Sequence, residues 1–148
     1  MIPPFDDEGQ LPPGEHGASW LEFITRFDLN PRRHRLLGGL TLALRALREA
    51  GCARVFVDGS FVTDKPEPGD IDLAYDTARL DWSELARLEP TLIDLSNGRA
   101  AQKRKFGCEC FPAEDAADLN GEPFRSFFQR DREGRRKGIV ILTLVEVS

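Results

Sequence analysis

The sequence predicts an α/β (α+β) fold in which helices pack mainly on one face of a mixed β-sheet, and three observations carry that expectation. Residues 55–75 read as strand, tight turn, polar loop and strand: the apolar run Val55-Phe56-Val57 breaks at Gly59-Ser60, passes through Thr63 to Gly69 and resumes at Ile71. Leu36, Leu37, Leu40, Leu44 and Leu47 recur at the three-and-four spacing of a buried helical stripe. The closing run from Ile139 to Val147 is nearly all apolar or β-branched, as a strand inside a sheet should be. No Gly-x-Gly-x-x-Gly or Walker A sequence is present, so dinucleotide-binding and P-loop folds have no motif here.

Composition narrows the class. With 148 residues and 41% hydrophobic content, the chain has enough apolar side chains for one domain. A net charge of −5 argues against coating nucleic acid by bulk electrostatics and confines any RNA or DNA contact to a local groove. Three cysteines, two of them in Cys108-Glu109-Cys110, lack the paired spacing of a zinc site, and their odd number does not build a disulfide framework. The first residues carry no basic and apolar leader, and no apolar run is long enough to cross a bilayer. A soluble, cytoplasmic protein is expected.

Residues 1–18 are rich in Pro, Gly and acids, and Leu11-Pro12-Pro13-Gly14 reads as an extended N-terminal arm; residues 19–148 are expected to form the single domain. Ser19 caps a helix from Trp20 to Phe27, with Glu22 three residues on as in a capping box. Asn30 caps and Pro31 opens the long helix, which Gly51 ends. Its Arg32-Arg33-His34-Arg35 start reads as a solvated charged turn, and His34 is given no catalytic part. Asp81 or Ser83 caps a helix through Leu88, whereas periodicity does not separate helix from loop between Thr91 and Lys105. Phe106 to Phe111 reads as a strand with Phe106, Cys108 and Cys110 on one face and Glu109 and Phe111 on the other. Phe124 to Arg130 is expected to be a helical turn or two with Phe124, Phe127 and Phe128 packed inward, followed by a charged loop over 131–138.

The chemistry concentrates in the hairpin. Alternation along a strand projects Asp70 and Asp72 from one face while Ile71 and Leu73 enter the core. Two such carboxylates suit Mg2+, a hard cation that binds through one or two acids plus substrate phosphates. Gly59 permits close backbone approach of a phosphate, Ser60 offers a hydroxyl and an amide, and Lys65 brings positive charge to the loop between. Gly-Ser, about ten residues, then Asp-x-Asp resembles the nucleotidyltransferase superfamily with its polymerase β-like palm. The resemblance implies that Gly59 and Ser60 cradle a nucleoside triphosphate and that Asp70 and Asp72 bind two Mg2+ ions. It also implies a third carboxylate, on a later strand, that completes the metal site and serves as base. Glu109 is the first candidate and Asp94 the second; the superfamily usually has Asp there, so Glu109 departs from its pattern.

Leu11-Pro12-Pro13-Gly14, the segment Gly59 to Pro66, Gly69-Asp70-Ile71-Asp72-Leu73 and the run from Phe127 to Val140 also look like a family of small prokaryotic and phage-associated proteins of uncharacterised activity, over nearly the whole chain. What is implied is Mg2+-dependent transfer of a nucleotide from an NTP to a macromolecular acceptor, tRNA or a partner protein, in a toxin–antitoxin or phage-defence setting. Larger members choose small substrates with an extra helical domain, which this sequence lacks. Arg99, Lys103, Arg104, Lys105, Arg130, Arg132, Arg135, Arg136 and Lys137 are the residues available for a groove facing RNA phosphates. The rival expectation is a catalytically silent palm that binds a nucleotide or a partner protein, favoured by the small size and by Glu at the third position.

Overall fold

The expected hairpin strands, β2 (Arg54–Asp58) and β3 (Ile71–Tyr75), pair antiparallel near the middle of a five-stranded sheet in a computed structural model that describes residues 1–146. The other strands are β1 (Gly14–Ala18), β4 (Cys108–Pro112) and β5 (Gly138–Thr143), in the order β1-β5-β2-β3-β4. β1 runs parallel to β5 and β4 parallel to β3, while β5 pairs antiparallel with β2, so the sheet is mixed.

Four helices cover one face: α1 (Trp20–Phe27), α2 (Pro31–Glu49), α3 (Trp82–Leu88) and α4 (Ser96–Phe106). Val55, Val57, Ile71, Leu73, Cys108, Cys110, Val140 and Leu142 point into them, each within 1% of complete burial. The leucine stripe of α2 meets that layer, and each fully buried leucine is worth ~1.5–3 kcal/mol of transfer free energy. Gly39 lets α2 and α4 touch, because a Cβ there would lie 2.1 Å from the Phe106 carbonyl oxygen. The opposite face has a smaller apolar layer in which Phe56, Ala74 and Ile139 meet Ala113 and Phe128, the latter following the short helix α5 (Phe124–Phe127). Among the described residues no helix is long and apolar enough to cross a membrane.

The caps form as the sequence indicates at Ser19, Asn30 and Asp81, each accepting a backbone N–H three residues on. The capping box at α1 does not close: Glu22 turns back to accept the Ile2 amide at 2.8 Å and pins the N-terminal arm instead. That arm is also more than an extended tail. Its last residues are β1, which pairs with β5 from Gly14↔Gly138 onward, and Ile2 and Leu11 are core residues. A fork from Arg125 to both Glu15 oxygens, at 2.6 and 2.8 Å, ties β1 to α5 and lowers the Glu15 pKa.

Other boundaries shift for local reasons. The 91–105 stretch is a 3-10 turn, Pro90–Ile93, followed by α4, whose first turn contains three left-handed residues, Asn97, Gly98 and Arg99. Phe106 closes α4 and Gly107, at φ 65°, is its left-handed cap, so the strand starts only at Cys108. β5 stops at Thr143 and passes into a 3-10 turn over Leu144–Glu146; the expected end of the strand at Val147 lies outside the described residues. Phe127 is 43% exposed rather than packed inward.

The largest departure is at the start of α2. Arg33 is not solvated: 2% exposed, it donates to the carbonyls of Phe27, Phe61, Thr63 and Lys65, with its cation over the Phe61 ring. Arg32 holds the carbonyls of Pro68 and Gly69, and Asn30 that of Pro66. One helical turn thus fastens the whole loop between β2 and β3, a job for a planar fork with five donors. Arg33→Lys is expected to lower unfolding free energy by about 2–3 kcal/mol, because one ammonium leaves several of these carbonyls unpaired. Urea denaturation measures this; a loss within error would show that the loop does not depend on the fork.

Candidate functional site

Register places a row of acids across three adjacent strands. Asp58 of β2 faces Asp72 of β3, and Asp72 faces Glu109 of β4, so all three project from the face opposite the four helices, at strand spacings of roughly 4.8 Å. Asp70, two residues before Asp72, joins from the same side. Carboxylate oxygens of Asp70, Asp72 and Glu109 lie within 4.8 Å of one another, the pre-assembled oxygen donors a hard divalent cation takes. Asp94 is not in this group; its carboxylate accepts from the Ser96 amide and hydroxyl at 3.0 and 2.6 Å, which lowers its pKa. Of the two candidates for third carboxylate, the geometry selects Glu109.

The Gly59-Ser60 turn lies directly against these acids. Gly59 has φ +85°, and a Cβ on it would stand 2.7 Å from Asp72 Oδ2, so conformation and contact both demand glycine. The chain then makes a 3-10 turn, Ser60–Val62, closed by Thr63, whose amide and hydroxyl both donate to the Ser60 carbonyl. Beyond it the loop gripped by Arg33 carries Lys65. Gly59, Ser60, Lys65, Asp70 and Asp72 all line one cleft of about 740 Å³. Glu109, one strand further out, reaches the acids without lining that cleft.

The electrostatics follow from crowding. Burial, then the charges of Asp70, Asp58 and Glu109, push the Asp72 carboxyl up to about 7, against the opposing charge of Lys137. Burial and Glu109 raise Asp70 as well. Two lysines offset the charge: Lys103 Nζ lies 3.1 Å from Glu109 and Lys137 Nζ 3.0 Å from Asp58 Oδ1. Asp58 is 4% exposed and that oxygen takes no aligned hydrogen bond, so its contact with Lys137 is Coulombic.

Asp58 escapes a sequence reading because it ends an apolar run, and the pairing of Lys137 with it does because Lys137, a candidate only for the basic groove, sits in a charge-rich loop. Gln102 is a third such residue: wholly buried, it accepts the Cys110 amide at 2.8 Å, while Arg99 donates to the Cys110 carbonyl, so the outer edge of β4 is held and Glu109 with it. The nine basic residues do not form one free stripe. Arg130, Arg132, Arg135 and Lys137 line the cleft, but Arg130 pairs with Glu122, Arg135 with Asp131, Glu133 and Glu8, and Lys105 with Glu89.

Two outcomes follow. Lys137→Met is expected to cost about 3 kcal/mol in urea denaturation by stranding a buried Asp58 charge, whereas the double variant with Asp58→Asn should recover most of the loss. Asp72 titrates from its ordinary 3.8 up to about 7 in the folded chain, so the fold holds the extra proton and stability falls as pH rises across that interval. Asp72→Asn, in chelator, should therefore melt roughly 5 °C above wild type at pH 8 and level with it below pH 4; an equal shift at both pH values would place the effect elsewhere.

Comparison with curated proteins and with solved structures returns no match. Residues 3–143, nearly the whole chain with its acidic row and glycine turn, match a family of unknown function, DUF6932, and the chain belongs to that family.

Proposed function

We propose that the protein is a Mg2+-dependent nucleotidyltransferase of polymerase β-like palm type, moving a nucleotide from an NTP to a macromolecular acceptor, tRNA or protein. One observation carries the reading: of three clustered carboxylates, Asp72 stands against a positive-φ Gly-Ser turn, and Asp70 and Asp72 line the same cleft as that turn. The donor set fits the metal, being all carboxylate oxygen, and the crowded acids that add to burial in raising the Asp72 pKa are charges a cation would offset. Asp70, Asp72 and Glu109 would hold the metal, two ions in the superfamily's pattern, and bound there it neutralises triphosphate charge and acidifies the acceptor hydroxyl.

The chain's own groups do the rest. Gly59, lacking a Cβ, admits phosphate oxygens to the backbone, and the Ser60 hydroxyl and amide hold them in line with the attacking oxygen. The acceptor oxygen bonds to the α-phosphorus as the α–β bridging bond breaks, and the hydroxyl proton passes to a Glu109 carboxylate oxygen. Lys65, on the loop clamped by Arg33, faces the pyrophosphate as its charge grows. Arg132 on the rim of the cleft, and Arg130 if it leaves Glu122, would be the contacts for acceptor phosphates. Three free, buried cysteines suit a reducing compartment such as the cytoplasm.

A second reading, a silent nucleotide- or partner-binding module in a toxin–antitoxin or phage-defence pair, draws on the Lys103–Glu109 contact, in which the third carboxylate already has an ammonium for its cation. Transfer from α-labelled NTPs into extract RNA and protein separates the two. The enzyme reading expects Mg2+-dependent labelling that falls at least 100-fold in Asp70→Asn and Asp72→Asn with circular dichroism unchanged. Labelling at the wild-type rate in Asp72→Asn overturns the mechanism, and nucleotide-induced thermal stabilisation without any labelling supports the module.

A further inference from the structure

Apart from Phe127 and its neighbour Phe128, every residue lining the cleft is polar, charged or glycine. Phe128 is 6% exposed and belongs to the apolar layer beneath, but Phe127 keeps 43% of its surface open. The helical step explains the split. Phe124 and Phe128, four residues apart, share a side of the α5 turn and pack on Phe111, with centroids at 4.4 and 5.4 Å; Phe127, one residue back, points elsewhere. Its ring sits 6.4 Å from that of Phe128, and its amide is fixed to the Pro123 carbonyl at 2.9 Å. The ring therefore flanks a packed aromatic cluster, on a backbone held by the α5 turn.

A flat apolar face in a cleft otherwise built for charge matches a ligand that is itself flat and aromatic at one end and polyanionic at the other. We infer that Phe127 is the platform on which the nucleobase of a bound nucleotide stacks, an assignment that rests on the nucleotide reading of the site. The cleft, at about 740 Å³, lies within the ~300–1,000 Å³ usual for small-ligand sites. Stacking alone tolerates any base, because every base offers a π-face, so Phe127 confers affinity for nucleotides over bare polyphosphate rather than choice among bases.

The test is calorimetric titration with Mg2+-ATP and with Mg2+-tripolyphosphate, which carries the anionic end without the base. Phe127→Ala and Phe127→Leu should each weaken ATP binding roughly tenfold, Phe127→Tyr should keep it, and tripolyphosphate affinity should be the same in all four proteins. Melting temperatures of the variants check that the exposed substitution leaves the fold intact. ATP affinity unchanged in Phe127→Ala, equal to wild type in Phe127→Leu, or lost in parallel with tripolyphosphate would each overturn the assignment. A wild-type protein that binds neither ligand fails at the earlier step, and the nucleotide reading falls with this one.

Discussion

Four carboxylates on one half-dry patch of sheet are the constraint from which most of the molecule can be understood. Strand pairing fixes Asp58, Asp72 and Glu109 side by side, and period-two alternation adds Asp70. Like charges at that spacing repel, and water screens them poorly because Phe56, Ala74 and Phe111 occupy the next row along the same strands. The chain answers with two lysines, one at each end of the row, and with a proton shared into Asp72 near neutral pH. Such an arrangement costs stability in the empty protein, and a sequence selected for folding alone would have put uncharged residues there.

Much of this was legible in advance, for identifiable reasons. Asp70 and Asp72 flank Ile71, the first residue of β3, just after a glycine break, and strict alternation leaves them one face to share. The α2 stripe was equally plain, since five leucines at helical spacing admit one buried side. The register between β3 and β4 was not readable, yet it is what brings Glu109 rather than Asp94 to the acids. Asp58 was hidden because a single acid closing an apolar run looks like the strand's solvated end, whereas its β2 position lies opposite Asp72.

Arg33 shows the reverse error. Four consecutive basic residues opening a helix have the composition of a solvated turn, and nothing local distinguishes the one whose side chain is drawn inward. What draws it in is the loop after the Gly-Ser turn, which curls past the start of α2 and leaves three carbonyls of its own without strand or helix partners. The need arises in residues 61–65 and is met nearly thirty positions earlier in the chain. β1 was missed on similar grounds: Gly14 and Gly17 have poor strand propensity, and the pairing with β5 that overrides it lies more than a hundred residues away.

The unequal covering of the sheet connects these parts. α1 to α4 cover one face over β5, β2, β3 and β4, so that side is core, and the face left to the short α5 is where side chains can meet both water and one another. Because α5 covers only the row that holds Phe56, Ala74 and Phe111, Asp70 and Asp72 beyond its edge are half-buried: dry enough to raise their pKa values, open enough to be reached. The loops that wall the cleft are then fastened by Arg33 of α2, from outside it, for residues 61–65, and by the Lys137–Asp58 pair on its own wall for the approach to β5. On the proposed reading, a cation would need no movement of the sheet: it would meet oxygens already in place, and what would change is which groups are left to neutralise them.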